Sequence, residues 1–134
     1  MSGNVVYADS SALVKLVITE PETPALRHFL ASRPDVRIAS SGIATTEVMR
    51  AVLREAPTAM PQAHALLAGI DLVTLTQHSL QQAGLLQPPS LRSHDAVHLV
   101  AALALGSALG DFVAYDQRML QAAAWYGLPV SAPS

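Results

Sequence analysis

The sequence predicts an α/β fold built on a mainly parallel sheet of four or five strands. Three observations carry that expectation. Short apolar runs alternate with helical segments along the chain, the order expected of a sheet covered by helices. The strand-like runs are apolar throughout rather than alternating, as strands buried on both faces are. The 134 residues are 51% hydrophobic and only 13% charged. Such a composition excludes disorder, and such a length suits one domain, so a single domain over residues 1–134 is expected.

Each element has a local reason. Val5-Val6-Tyr7-Ala8 is short, apolar and β-prone, and reads as a buried strand. Asp9, Ser10 and Ser11 can each cap a helix. Ala12 to Val17 continues that helix up to the break at Glu20-Pro21. Thr23 to Ser32 carries Leu26, Phe29 and Leu30 at helical spacing and stops before Pro34. Val36 to Ala39 reads as a second strand, and Ser40-Ser41-Gly42 as a turn. Thr45 to Glu55 is an amphipathic helix with Val48, Ala51 and Val52 on one face. Thr58 to Ala68 is helical, with Pro61 in its first turn, where proline is tolerated. Asp71 to Leu75 is a third strand, Gln77 to Leu86 a helix, and Gln87-Pro88-Pro89 a connection. Ser93 to Ala108 reads as one helix, apolar nearly all round and therefore central. Phe112 to Tyr115 is a fourth strand. A helix opens at Asp116 and ends at Gly127, with Trp125, Tyr126 and Leu128 read as core. Leu128-Pro129-Val130 suits a short edge strand, where proline is acceptable.

Composition narrows the function classes. No cysteine occurs, which excludes disulfide frameworks, cysteine-bound zinc and thiol catalysis. The net charge of −2 does not mark a nucleic-acid binder, although global charge says little about a local site. The longest apolar run, Leu99 to Gly110, is about half the ~20 residues of a spanning helix. No basic segment precedes an apolar core at the N-terminus, so no signal peptide is expected; a cytoplasmic location follows as an expectation. The apolar excess points to a partner chain or a homodimer.

Four acids stand out by position. In a parallel α/β sheet, ligands bind beyond the carboxyl ends of the strands. Asp9 and Asp116 follow the first and fourth strands. Glu47 lies near the start of an amphipathic helix, and Asp95 in the first turn of the most apolar one. Singly, each has a plain structural role. Asp9 and Asp116 suit helix caps, Asp95 suits the helix dipole, and Glu47 can pair with Arg50 three residues on. Together they suggest one cluster at one sheet edge. Two like charges ~4 Å apart repel by about 4 kcal/mol at an effective dielectric of 20. A divalent ion removes that cost, and carboxylates without cysteine favour Mg²⁺ or Mn²⁺ over zinc.

Four segments carry a resemblance. They are Tyr7-Ala8-Asp9-Ser10-Ser11-Ala12-Leu13-Val14-Lys15-Leu16, Thr46-Glu47-Val48, Arg92-Ser93-His94-Asp95-Ala96-Val97-His98-Leu99 and Tyr115-Asp116-Gln117-Arg118-Met119-Leu120. In order and spacing they resemble the four motifs of PIN-domain nucleases, and the chain's size resembles the VapC-type toxins of type II toxin–antitoxin pairs. The resemblance implies a three-layer α/β/α fold and Mg²⁺- or Mn²⁺-dependent endonucleolytic hydrolysis of RNA, leaving 5′-phosphate and 3′-hydroxyl ends. It implies that Asp9, Glu47 and Asp95 are the central acids, both catalytic and metal-binding, with Asp116 as the more variable fourth. The family often has Thr or Ser two residues before that fourth acid; here Ala114 stands there. Ser10 and Arg92 are candidate substrate contacts, and Lys15, Arg50 and Arg54 are further cations near the acids, as a phosphate-binding site needs. The implied partners are an RNA, tRNA among the structured candidates, and a cognate VapB-like antitoxin whose C-terminal segment covers the acids.

Two rivals belong to other classes. His94-Asp95-Ala96-Val97-His98 places two histidines at i, i+4, as in the zinc-protease motif H-E-x-x-H, but a zinc-type hydrolase on His94 and His98 leaves Asp9 and Glu47 without a role. On the PIN reading His98 is a buried helix histidine and His94 a surface one. A catalytically inactive PIN-fold interaction module would not need all four acids.

Overall fold

A computed structural model describes residues 3–134. Five strands form one sheet: β1 (Val5–Ala8), β2 (Arg37–Ser41), β3 (Asp71–Val73), β4 (Leu109–Val113) and β5 (Val130–Ser131). The order across the sheet is β3-β2-β1-β4-β5, and every pairing is parallel. The helices are α1 (Ser10–Lys15), α2 (Thr23–Ala31), α3 (Ile43–Glu55), α4 (Met60–Ala68), α5 (Gln77–Gly84), α6 (Ser93–Leu103) and α7 (Gln117–Trp125).

Alternation along β1 divides the core in two. Val6 and Ala8 face one side and pack with Leu13, Leu26, Val48, Val52 and Ala63, from α1 to α4. Tyr7 faces the other and packs with Leu99, Phe112, Met119 and Ala123, which brings in α6 and α7. Helix α5 rests on α6 through Ala83, Ala96 and Val100. The result is three layers, α/β/α. Strand β1 lies between β2 and β4, so the chain order reverses there, and a crevice opens beyond the strand ends. No helix among the described residues is long and apolar enough to cross a membrane.

Several boundaries differ from the sequence reading. The expected helix over 93–108 ends at Leu103; a 3₁₀ turn at Gly106–Ala108 follows, with Gly106 at φ +55°. Strand β4 therefore starts at Leu109 and stops at Val113, ahead of the expected Phe112 to Tyr115. Apolar residues suit a buried helix and a buried strand equally, so the run could not be divided by hydropathy. Ser40 and Ser41, expected in a turn, extend β2. Ser40 is tolerated there because its hydroxyl donates to the Ala8 carbonyl at 2.7 Å.

A bulge sets the β1–β4 register. Val5 pairs with Leu109 but Val6 pairs with Asp111, leaving Gly110 as the extra residue. A Cβ on Gly110 would run into the Gly3 carbonyl. Gly110→Ala should therefore cost about 1–3 kcal/mol, as overpacking does. A urea titration checks this; an unchanged midpoint would mean that the strands can part there freely.

Candidate active site

All four acids sit at the carboxyl edge of the sheet. Asp9 follows β1 and caps α1: its Oδ1 accepts from the Ala12 amide at 3.1 Å and the Ser11 hydroxyl at 2.6 Å. Asp116 caps α7, its Oδ1 accepting from the amides of Arg118 and Met119 at 2.8 and 3.3 Å. Because β4 ends early, Ala114 and Tyr115 carry the chain from the sheet to Asp116. Asp95 lies in the first turn of α6 and Glu47 in α3, beside the buried Val48. Asp9 and Asp95 are each only 6% exposed.

The cap and ligand roles do not exclude each other, because a carboxylate has two oxygens. Asp9 commits Oδ1 to its cap, and its Oδ2 has no hydrogen bond among the described residues. Glu47 commits Oε1 to Ser10 Oγ at 2.6 Å and His98 Nε2 at 2.9 Å, leaving Oε2 free in the same sense. Asp116 Oδ2 meets only Arg92, at 3.4 Å. The Arg92 Nε also donates to Asp95 Oδ2 at 2.9 Å, so one guanidinium bridges two of the acids. Ser10 is held against Glu47, with a second contact of 3.3 Å to His98.

The electrostatics record the crowding. Burial pushes the Asp9 carboxyl above its ordinary range; the Ser11 and Ala12 hydrogen bonds and His98 oppose this, and the nearby Asp95 adds to it. Burial acts on Glu47 in the same direction, but hydrogen bonds from His98 and Ser10 outweigh it and leave its carboxyl below the ordinary value. The hydrogen bond to Asp95 holds the Arg92 guanidinium more firmly charged, with Asp116 and Glu47 contributing.

These groups fit a hard cation by donor type. The donors are all carboxylate oxygens, Asp9 and Glu47 each keep an oxygen clear of the protein's own tethers, and Asp9 is a buried carboxylate whose charge no cation offsets by direct contact. Arg92 now supplies the counter-charge to Asp95 and Asp116, and among the described residues no three such groups surround one point at metal-binding range. An ion would take over the contacts that the guanidinium makes.

Beneath the acids lies a buried chain that the sequence reading did not assemble. His98, on α6, is 1% exposed. Its Nδ1 lies 2.7 Å from the Tyr7 hydroxyl and its Nε2 2.9 Å from Glu47. Burial pushes the Tyr7 phenol well up, so its O–H stays on. Glu47, its carboxyl below the ordinary value, can only accept from Nε2. Nε2 then carries the proton, and Nδ1 of that tautomer accepts the Tyr7 O–H. The available signal was spacing: His98 is three residues after Asp95, on the same face of one helix.

The candidate cations divide. Lys15 is buried and bound to Glu20 and Glu22 at 3.3 and 3.1 Å. It also lies 4.6 Å from the centre of the Tyr115 ring, so it is already spent. Arg54 meets Glu55 at 3.7 Å. His94 is a partly exposed neighbour of Asp95, at 3.4 Å.

Trp125, expected in the core, is 71% exposed. Its neighbour Tyr126 locks the connection before α6: the phenol oxygen accepts from the Gln87 amide at 2.8 Å and donates to the Gln87 carbonyl at 2.9 Å. That connection leads to Arg92. Tyr126→Phe should therefore cost only about 1 kcal/mol of stability, since water can replace the lost partners. It should speed amide hydrogen exchange over residues 87–92, and unchanged exchange there would show that the pair does not brace the segment.

Comparison with known proteins agrees with this architecture. The PIN domain family model matches residues 6–124. Ribonuclease VapC46 of Mycobacterium tuberculosis is 45% identical over 130 residues, covering 96% of this chain and 98% of that protein. Ribonuclease VapC47 of the same species is 38% identical over 132 residues, covering 96% and 97%. In three dimensions the crystal structure of M. tuberculosis VapC20, a toxin that cleaves the sarcin-ricin loop, superposes with a TM-score of 0.76 at 17% identity, covering 96% of this chain and 99% of that one. The match in sequence over nearly whole chains, and the same three-layer fold, make this protein a member of the PIN-domain family, of the VapC type.

Proposed function

We propose that the protein is a Mg²⁺- or Mn²⁺-dependent endoribonuclease, the toxin of a toxin–antitoxin pair. Asp9, Glu47, Asp95 and Asp116 hold the ion and form the catalytic centre. The observation that carries this reading is their gathering at one sheet edge, Asp9 and Asp95 buried, with one oxygen each of Asp9 and Glu47 left clear of its structural tethers. The names of the relatives, ribonucleases matched from end to end, support the substrate class.

When bound, such an ion offsets charge on the phosphate and activates water for in-line attack. The chain's own part is placement. The cap bonds fix Asp9 and Asp116, and His98 and Ser10 fix Glu47. Arg92, now paired with Asp95 and Asp116, has the charge to contact a phosphate if a bound ion takes over its role as their counter-charge. Ser10 orients Glu47, and its side chain borders the same site.

The partners are an RNA, tRNA among the candidates, and a VapB-like antitoxin in the cytoplasm. The Arg92 bridge supports an antitoxin arginine at the acids, because the pocket accepts a guanidinium. Exposed Leu53, Leu72, Leu80 and Leu85 support a homodimer and a seat for the antitoxin.

The test is incubation of the purified protein with a mixed RNA pool and Mg²⁺ or Mn²⁺. Discrete fragments with 5′-phosphate ends, absent with EDTA, are expected. Cleavage that persists in EDTA would overturn the metal site, and no cleavage with no metal binding would point to an inactive interaction module.

A further inference from the structure

Beside the acids lies a cavity of about 550 Å³, within the range of roughly 300–1,000 Å³ typical of small-ligand sites. Asp95 and Asp116 line it, so it is continuous with the proposed catalytic centre. Arg118, Gln121 and Trp125 line it from α7. Their spacing of three and four residues places all three on one face of that helix. Leu91 and Pro88 contribute from the connection that Tyr126 locks.

Three features of this wall are unspent. The Trp125 indole is 71% exposed, yet it is braced edge-on by Tyr126, with ring centres 4.9 Å apart at 83°. The Arg118 and Gln121 side chains make no hydrogen bond or ion pair among the described residues. An open aromatic face, an amide able both to donate and to accept, and an uncommitted cation are what an unpaired nucleotide needs: a surface to stack on, an edge to read and a charge for its phosphate.

We propose that Trp125, Gln121 and Arg118 form a nucleobase subsite that receives an unpaired base of the RNA next to the scissile phosphate. This rests on the ribonuclease reading and deepens it. Trp125 stacks on the base, Gln121 contacts its edge, and Arg118 meets the adjoining phosphate. The subsite selects RNA with an unstacked base, in a loop, bulge or single strand, over continuous duplex.

Trp125 is the chain's only tryptophan, so its fluorescence reports on this site alone. The experiment titrates full-length Asp95→Asn protein, with Mg²⁺ present, with fluorescein-labelled five-residue oligoribonucleotides. It repeats this with oligomers carrying an abasic residue at each position in turn. Saturable quenching is expected, with one abasic position removing it and weakening Kd about ten- to a hundredfold, the scale of one stacked base. Arg118→Ala should lower the salt slope of binding by about one. With the active protein and a cleaved RNA, Trp125→Ala should lose about ten- to a hundredfold in kcat/KM, mainly through KM, while Trp125→Phe retains most of it.

If RNA binds and is cleaved but no abasic position changes Kd or fluorescence, the subsite is wrong and the nuclease stands. If no RNA is bound or cleaved at all, the nuclease reading falls and takes the subsite with it. Quenching by a C-terminal peptide of the cognate antitoxin, with none by RNA, would give the cavity to a protein partner and overturn the subsite.

Discussion

Asp95→Asn is expected to lower RNA cleavage by at least about a thousandfold, the scale on which single catalytic groups are lost, with the fold intact. Asp9→Asn should do the same. The amide keeps the size and the hydrogen-bonding oxygen of the carboxylate but loses the charge that an ion needs. The two variants should differ from a damaged protein in their melting behaviour. Burial holds the Asp9 carboxyl above its ordinary range in the metal-free fold, so its ionised form opposes folding. That penalty is full at pH above the raised value and fades as pH falls from there to the ordinary carboxyl value, below which both states are protonated. Asparagine removes the penalty, so metal-free Asp9→Asn should melt at or above the wild-type temperature near neutral pH. Added Mg²⁺ should raise the wild-type melting temperature, since it binds only the folded chain, and should barely move either variant. A circular dichroism melt with and without Mg²⁺, beside a cleavage assay, reads both effects. Near wild-type cleavage by either variant would remove that acid from the centre. A large drop in melting temperature would mean that it serves the fold instead.

The succession of helices and strands along the chain was legible because the fold is periodic. Apolar runs without alternation marked the parallel strands, and capping residues marked the helix starts. The same capping residues concealed part of the site. Asp9 and Asp116 each bond helix amides through one oxygen, so their local sequence fits a cap completely, and only their nearness to Asp95 and Glu47 suggests the second use proposed above. Other parts were not legible for definite reasons. The run Leu99 to Gly110 satisfies helix and strand alike, so only the turn at Gly106 divides it. The sequence favours core over interface for Trp125 without a firm assignment, and the structure puts it on the open face of α7 while Ala122 and Ala123 take the buried one. The Tyr7–His98–Glu47 chain joins residues 91 and 51 positions apart, a relation that only the sheet and its two flanking layers create.

That chain carries the second large effect. His98→Leu should lower cleavage about ten- to a hundredfold, as loss of a partner that orients a ligating group does. It should also destabilise the protein by about 1–3 kcal/mol, because the buried Tyr7 hydroxyl loses its acceptor. Glu47 would keep Ser10 as a tether but lose the donor that holds it from below. Both effects could arise from poor packing alone, and Tyr7→Phe separates the causes. Removing both members of the Tyr7–His98 bond leaves no half-made pair between them, so the double variant His98→Leu/Tyr7→Phe should recover about 1 kcal/mol relative to the sum of the single changes. Its cleavage should stay low, since neither substitution restores a donor to Glu47. Recovery of stability without recovery of cleavage would identify His98 as the positioning residue for Glu47. Recovery of both would reduce the histidine to a packing role and leave Ser10 as the side chain that sets Glu47 in place.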